Sequence, residues 1–264
     1  MIHVFATPVL ALRGVSKRFG AVQALTDVDL EIHAGEVVAL VGDNGAGKST
    51  LVKTISGVHP IDEGAIEWEG SEVRIQRPND AQELGVATVY QDLALCDNLD
   101  VVANLFLGSE LKSLSVLDEI AMEKRAKELL DTLSIRIPSV RIPVAALSGG
   151  QRQVVAIARA LIGDPKIVIL DEPTAALGVE QTAQVLDLVE RLRERGHGVI
   201  LISHNMADVR AVADKVAVLR LGRNNGVFDV KDTSHEEIIA AITGATDNAV
   251  TRRQARTATK EDAK

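Results

Sequence analysis

Aromatic residues are almost missing from this chain: they make up 2% of its 264 residues, with one Trp and one Tyr. A core cannot be assembled around large rings and must come from Val, Leu, Ile and Ala, within a hydrophobic fraction of 46%. That composition suits buried parallel strands covered by helices. Cysteine occurs once, at Cys96, which excludes an internal disulfide and a cysteine-rich metal site and fits a reducing compartment. Positive charge is also short: 29 Lys and Arg stand against 37 Asp and Glu, for a formal net charge of −8. A nucleic-acid binder ordinarily carries a basic domain or stripe, so no nucleic-acid partner is expected. No apolar run approaches the roughly 18 to 20 residues that cross a bilayer. The opening MIHVFATPVLALRG has no basic start ahead of an apolar stretch, so no signal peptide is expected. Any membrane part would belong to a partner.

What is present is an α/β rhythm. From Val9 to Gly42, alternating apolar residues interrupted by Gly14, Gly20 and Gly35 predict several short strands, ending in a buried strand Val37 to Val41. A glycine-rich loop and a helix from Lys48 to Ser56 follow, with Gly57 placed to end it. EGAIEWEGSEVRI reads as an antiparallel hairpin. From about residue 98 to 152 the character becomes helical. Ile120, Ala126, Leu129, Leu130 and Leu133 are expected on one face, and Pro138 and Pro143 are expected to end the run. Ser148 stands at an N-cap position ahead of another helix. KIVILDE, QTAQVLDLVERLRERG, GVILISH, MADVRAVAD and KVAVLRLG then alternate strand and helix, the pattern of a parallel sheet. Residues 246–264 lack periodic apolar positions and read as a polar tail, in which the run Arg252 to Arg256 is solvated. His33 reads as a turn residue, and Cys96 as a loop residue without a chemical role.

Three motifs carry chemistry. Gly42-Asp43-Asn44-Gly45-Ala46-Gly47-Lys48-Ser49, followed by Thr50, lies directly between a buried strand and a helix. Glycines let backbone N–H groups close around phosphates, and the helix N-terminus adds a positive field. Lys48 can reach the outer phosphates, and the Ser49 hydroxyl can ligate Mg²⁺. The second motif is the strand Ile167 to Leu170, which ends in Asp171 and Glu172. Beside a phosphate loop, Asp171 is suited to a metal held through water and Glu172 to polarising the attacking water. The third, Leu147-Ser148-Gly149-Gly150-Gln151, places two glycines at a second helix N-terminus, a second anion site.

L-S-G-G-Q between the other two motifs resembles the signature of the ATP-binding-cassette (ABC) family, and the resemblance runs from about residue 9 to 245. It implies a phosphate-loop ATPase cassette: an α/β fold with a parallel core sheet, a small antiparallel β subdomain and an inserted helical subdomain. It also implies ATP and Mg²⁺ as ligands. In that family Ser148, Gly149, Gly150 and Gln151 would contact the γ-phosphate of ATP bound to the opposite subunit of a homodimer. Gln91, in VYQDLAL, matches the glutamine that links Mg²⁺ to the helical insert. His204, in LISHN, matches the switch histidine, which can contact the γ-phosphate. Phe19 sits where relatives stack an aromatic on adenine, with a core phenylalanine as the alternative. One departure is Gly178, where many relatives carry an aspartate that reaches across the dimer. PTAALG, GDNGAGKST, VYQDLAL and ANLFLG are similar to the ATP-binding subunits of bacterial monosaccharide importers, especially single-cassette fructose-type ones. The expectation is an ATPase on the cytoplasmic face of the membrane, serving a membrane permease and, indirectly, a secreted sugar-binding protein. A cassette for another solute, or a soluble ABC protein of DNA repair or translation, is the alternative. A small-molecule kinase would leave L-S-G-G-Q and His204 without a task.

Overall fold

The computed structural model describes residues 7–113 and 116–245; the tail read at 246–264 lies outside them. The first strands are two long ones, β1 (Leu10–Phe19) and β2 (Val22–Ile32), paired antiparallel, where several short ones were expected. A register shift between Leu12 and Val15 absorbs Gly14, and Gly20 forms the turn; a bulge kinks a strand without ending it. The next strand, β3 (Val37–Val41), leads through the glycine loop to α1 (Lys48–Ile55), and Gly57 follows at φ 73° as predicted. The expected hairpin, β4 (Glu63–Trp68) and β5 (Ser71–Val73), completes a four-stranded sheet in the order β2-β1-β4-β5. There Trp68 pairs with Leu10 and is 7% exposed.

A short helix, α2 (Pro78–Leu84), precedes β6 (Val86–Val89). The helical segment contains α3 (Val101–Phe106), a hairpin of β7 (Lys112–Ser113) and β8 (Val116–Leu117), α4 (Glu119–Thr132) and α5 (Gly149–Ala160). Because α5 is continuous to Ala160, the insert boundary placed near residue 152 falls inside a helix. The inward face of α4 is Met122, Ala126 and Leu130, followed by Leu133, whereas Ile120 is 84% exposed. Met122 lies one turn before Ala126, while Ile120, six residues before it, points about 120° away at 100° per residue. The helix also stops ahead of its prolines, with Ser134 at φ 51°.

The rest of the chain is β9 (Ile167–Asp171), α6 (Val179–Glu194), β10 (Gly198–Ile202), α7 (Met206–Val212), β11 (Lys215–Arg220), β12 (Arg223–Asp229) and α8 (His235–Thr243). The main sheet has the order β12-β11-β3-β10-β9-β6 and is parallel except for the edge strand β12. Its central strands β3, β9 and β10 are buried on both faces. Val37, Ala39, Val41, Val168, Leu170, Val199 and Leu201 pack with α3 to α8. Their alternates Val38, Leu40, Ile167, Ile169, Ile200 and Ile202 pack with α1 and the antiparallel sheet. Period-two alternation therefore supplies two cores from one set of strands, which is why these strands read as unbroken apolar runs.

Candidate functional site

Parallel strands that start together also end together. Ile202 is in register with both Leu40 and Asp171, and Val89 with Leu170. Loops leaving β3, β6, β9 and β10 therefore open at one edge of the sheet, where ligands of open α/β sheets bind. A cleft of about 550 Å³ lies there, lined by Asn44 to Thr50, Gln91, Asp171, Glu172 and Ile202 on one side. Val22, Gln23, Ala24, Leu221 and Gly222 close the other side. No motif marks this second wall. Tertiary hydrogen bonds bring it in: Thr26 N–H donates to the Gly222 carbonyl (2.7 Å), and Gly222 N–H to that of Ala46 (3.0 Å).

Two glycines in the phosphate loop are fixed by space. A Cβ at Gly42 (φ 151°) would lie 2.2 Å from the Leu219 carbonyl oxygen, and one at Gly47 (φ 104°) 2.9 Å from that of Ala24. Lys48 Nζ donates to the carbonyls of Gly42 (2.7 Å) and Asp43 (3.1 Å), which curls the loop around its own ammonium. Asp43 Oδ1 accepts the Asn44 N–H at 2.7 Å. Gly42 and Asp43 shape the loop from behind, while Asn44 to Thr50 face the cleft. Gln91 is carried by β6, and Tyr90 beside it meets Ser56, at the end of α1, with hydroxyls 3.0 Å apart.

The carboxylates line the same cleft as the loop. Burial pushes the Asp171 carboxyl above the ordinary carboxylate range, and neighbouring Glu172 adds to the rise, while Lys48 and Lys53 oppose it. Glu172 adopts φ 52°. A left-handed conformation costs a non-glycine residue on the order of 1–2 kcal/mol and is concentrated at functional sites. It is held by its N–H, which donates to the Ile202 carbonyl (3.0 Å), and by His204, whose Nδ1 lies 2.8 Å from Glu172 Oε2. His204 remains 76% exposed against 16% for Glu172, so the imidazole lies on the solvent side of the pair. Sequence reasoning missed what lies behind them: Thr174 Oγ1 donates to Asp208 Oδ2 at 2.6 Å.

The donor set suits a hard divalent cation, with the Ser49 hydroxyl and the Asp171 carboxylate on one cleft and no soft ligand. Among the described residues no group of three or more His, Cys, Asp or Glu could hold a metal; such a cation would share its ligands with phosphate oxygens.

Of the predicted residues, His204 does not line this cleft and meets it through Glu172, and two further sets lie elsewhere. Phe19 is 41% exposed, which rules out the core alternative, and its ring stands edge-on to His59 with centroids 5.0 Å apart. Ser148 to Gln151 are also elsewhere. Ser148 Oγ accepts the Gln151 N–H (3.3 Å), and Gln151 Oε1 accepts the Ser148 N–H (3.0 Å), a reciprocal cap on α5. Gly150 packs against α6, where an added Cβ would lie 2.9 Å from the Gln181 side chain.

Comparison with known proteins gives the same picture over most of the chain. Residues 25–175 match the family described as ABC transporter. A xylose/arabinose import ATP-binding protein of Sulfolobus acidocaldarius is 47% identical over 235 residues, covering 89% of this chain and 94% of that protein. A fructose import ATP-binding protein of Rhizobium meliloti is 45% identical over 90% of this chain and 95% of its own length. A ribose import ATP-binding protein of Rubrobacter xylanophilus is 42% identical, but this chain spans only 47% of it. Among solved structures, the ADP conformation of an ATP-binding cassette of an ABC transporter superposes with a TM-score of 0.77 at 26% identity, covering 89% of this chain and 95% of that one. A dimeric, post-hydrolysis cassette bound to ADP and Pi gives 0.71 at 26% identity, over 85% of this chain and all of the other. With its cleft at the strand ends and its length matched almost completely by the xylose/arabinose and fructose import relatives, this chain belongs to the ABC transporter family, as an ATP-binding cassette of the ATPase kind.

Proposed function

We propose that this chain is the ATP-hydrolysing subunit that powers import of a monosaccharide through a separate membrane permease. The observation that carries the ATPase part is the placement of Glu172 on the phosphate-loop cleft, with Asp171 beside it and His204 on its carboxylate. The phosphates lie on the N–H groups of residues 44–50 and on Lys48. Ser49, Asp171 and Gln91 hold Mg²⁺, which when bound neutralises phosphate charge. Glu172 orients and polarises the attacking water, and His204 fixes the Glu172 carboxylate and reaches the γ-phosphate. Phe19, exposed at the end of β1, offers its face to adenine. Ser148 to Gln151 act on the nucleotide of a second copy, so that two ATP molecules are sandwiched between two identical subunits.

The cassette occupies 1–245, with the helical part inserted from about residue 98. The link to a permease runs through that insert. Arg159 of α5 donates to the carbonyls of Leu93 (2.7 Å) and Ala94 (2.8 Å), just after Gln91, and Arg152 pairs with Asp97. A change at Gln91 is thereby transmitted to the helix that begins at Ser148. Among the described residues no helix is long and apolar enough to cross a membrane. The subunit sits peripherally on the cytoplasmic side and works with a permease and, indirectly, a secreted binding protein. The sugar reading rests on relatives named for xylose/arabinose, fructose and ribose import; DNA repair or translation has no such support.

The test is uptake of labelled ribose, xylose, fructose and galactose in a deletion strain complemented with wild-type or Lys48→Ala protein. Loss of one sugar, restored only by the wild type, is the expected result. Unchanged uptake of all four would overturn the monosaccharide assignment.

A further inference from the structure

We infer that Asp208 is a positioning residue for ATP hydrolysis, a buried clasp that fixes Glu172 and His204 relative to each other. The inference rests on the roles proposed above for those two residues. Asp208 sits in the first turn of α7 and is 6% exposed. Its two oxygens are divided between two loops. Oδ2 accepts the Thr174 hydroxyl at 2.6 Å, two residues beyond Glu172, and Oδ1 accepts the Asn205 side-chain amide at 2.9 Å, one residue beyond His204. Asn205 is itself immobilised, its N–H donating to Ser203 Oγ (3.0 Å) and its Oδ1 accepting the Ala207 N–H (3.0 Å).

Burying a carboxylate is costly unless a cation accompanies it, and among the described residues Asp208 makes no ion pair. Two neutral donors are all it has. As a stabilising device this is poor, because a neutral amide could tie the same loops at less desolvation cost. Its geometry is better explained by what it spans. The Glu172 N–H to Ile202 carbonyl bond and the Glu172–His204 contact join the same two segments on the cleft side. Asp208 joins them from behind, so neither loop can shift without stretching a short, charge-assisted hydrogen bond. Glu172 is in the left-handed region and needs such external restraint to stay there.

The test uses the purified chain and its basal ATPase activity. Asp208→Ala and Thr174→Val are each expected to lower kcat by up to about a hundredfold, the scale for reacting groups misplaced by about 1 Å, with the affinity for a fluorescent ATP analogue unchanged. In a His204→Ala background both should cause little further loss, because the pair they align is already broken. Asp208→Asn should restore most activity: its oxygen can accept from Asn205, and its amide can donate to a reversed Thr174 hydroxyl. Wild-type kcat in both primary variants would overturn the inference. So would a fall in nucleotide affinity and melting temperature in step with kcat, which would mark Asp208 as structural. A wild-type chain with no ATPase activity would instead sink the proposed function on which the inference rests.

Discussion

Two glycine-bearing helix starts, those of α1 and α5, are finished differently. At α1, the loop curls around Lys48 and shares its cleft with Asp171, Glu172 and Gln91. At α5, Ser148 and Gln151 cap each other, and no carboxylate of the nucleotide cleft lies near them. The same local physics, exposed N–H groups on a helix dipole, thus appears once with catalytic company and once without. The first start can do chemistry, whereas the second can only contribute to a site built elsewhere. This asymmetry within one subunit supports the two-fold dimer proposed above, in which each α5 start would meet the other subunit's α1 start.

The strongest way to break the comparison is to empty the first site. Lys48→Ala removes the main positive partner of the phosphates, and ATPase kcat/KM is expected to fall by more than about a hundredfold, roughly 3 kcal/mol. Near-normal turnover would show that the α1 start is not where the chemistry occurs. Glu172→Gln should retain nucleotide binding and reduce kcat between about a hundredfold and ten-thousandfold, the range for a lost general base. With MgATP it should sediment as a persistent dimer, and a species that stays monomeric counts against the sandwich. The second site is addressed by Ser148→Arg, which fills the α5 start and should inactivate both sites of its homodimer. Mixing it with Lys48→Ala should recover about a quarter of wild-type activity, since half the dimers then carry one intact composite site. No recovery would argue that the two starts do not serve one site.

The smallest effect is on stability. The folded-state pKa of Asp171 is raised, so its ionised form is disfavoured in the apo fold, and that penalty is relieved as pH falls through the raised value. Asp171→Asn should therefore raise the apo melting temperature at neutral pH by about 1–3 °C while impairing turnover. The gain should disappear in acid, where wild-type Asp171 is protonated. A melting temperature lowered at neutral pH would contradict the burial argument.

Legibility followed sequence distance. The β3–loop–α1 and β9 segments were readable because strand, turn chemistry and helix start are contiguous. The second cleft wall was not, since Val22 to Ala24 and Leu221 to Gly222 carry no local mark. Asp208 was hidden for the same reason: its partner Thr174 is 34 residues away. Gly14 suggested a broken strand because a bulge and a strand end look alike without the partner strand, whereas Gly20 does mark the end of one. Ile120 was misplaced because an apolar residue at a helix start is counted on the apolar face whether or not its angle fits. β12 has Asn224, Asn225 and Gly226 in place of strand formers, and its position beside β11 is what makes it a strand. By contrast α8 was legible in principle, because Ser234 and Glu237 stand at capping-box spacing and cap each other in the fold.

The burial of Trp68 has a spectroscopic consequence. The single indole of the chain lies in the antiparallel sheet core, paired with Leu10, and among the described residues no aromatic ring lines the cleft at the strand ends. Its emission should be blue-shifted and should follow melting of that sheet, yet change little when nucleotide enters. Intrinsic fluorescence is thus a clean reporter of unfolding and a blind one for binding, so affinities need a nucleotide that carries its own fluorophore.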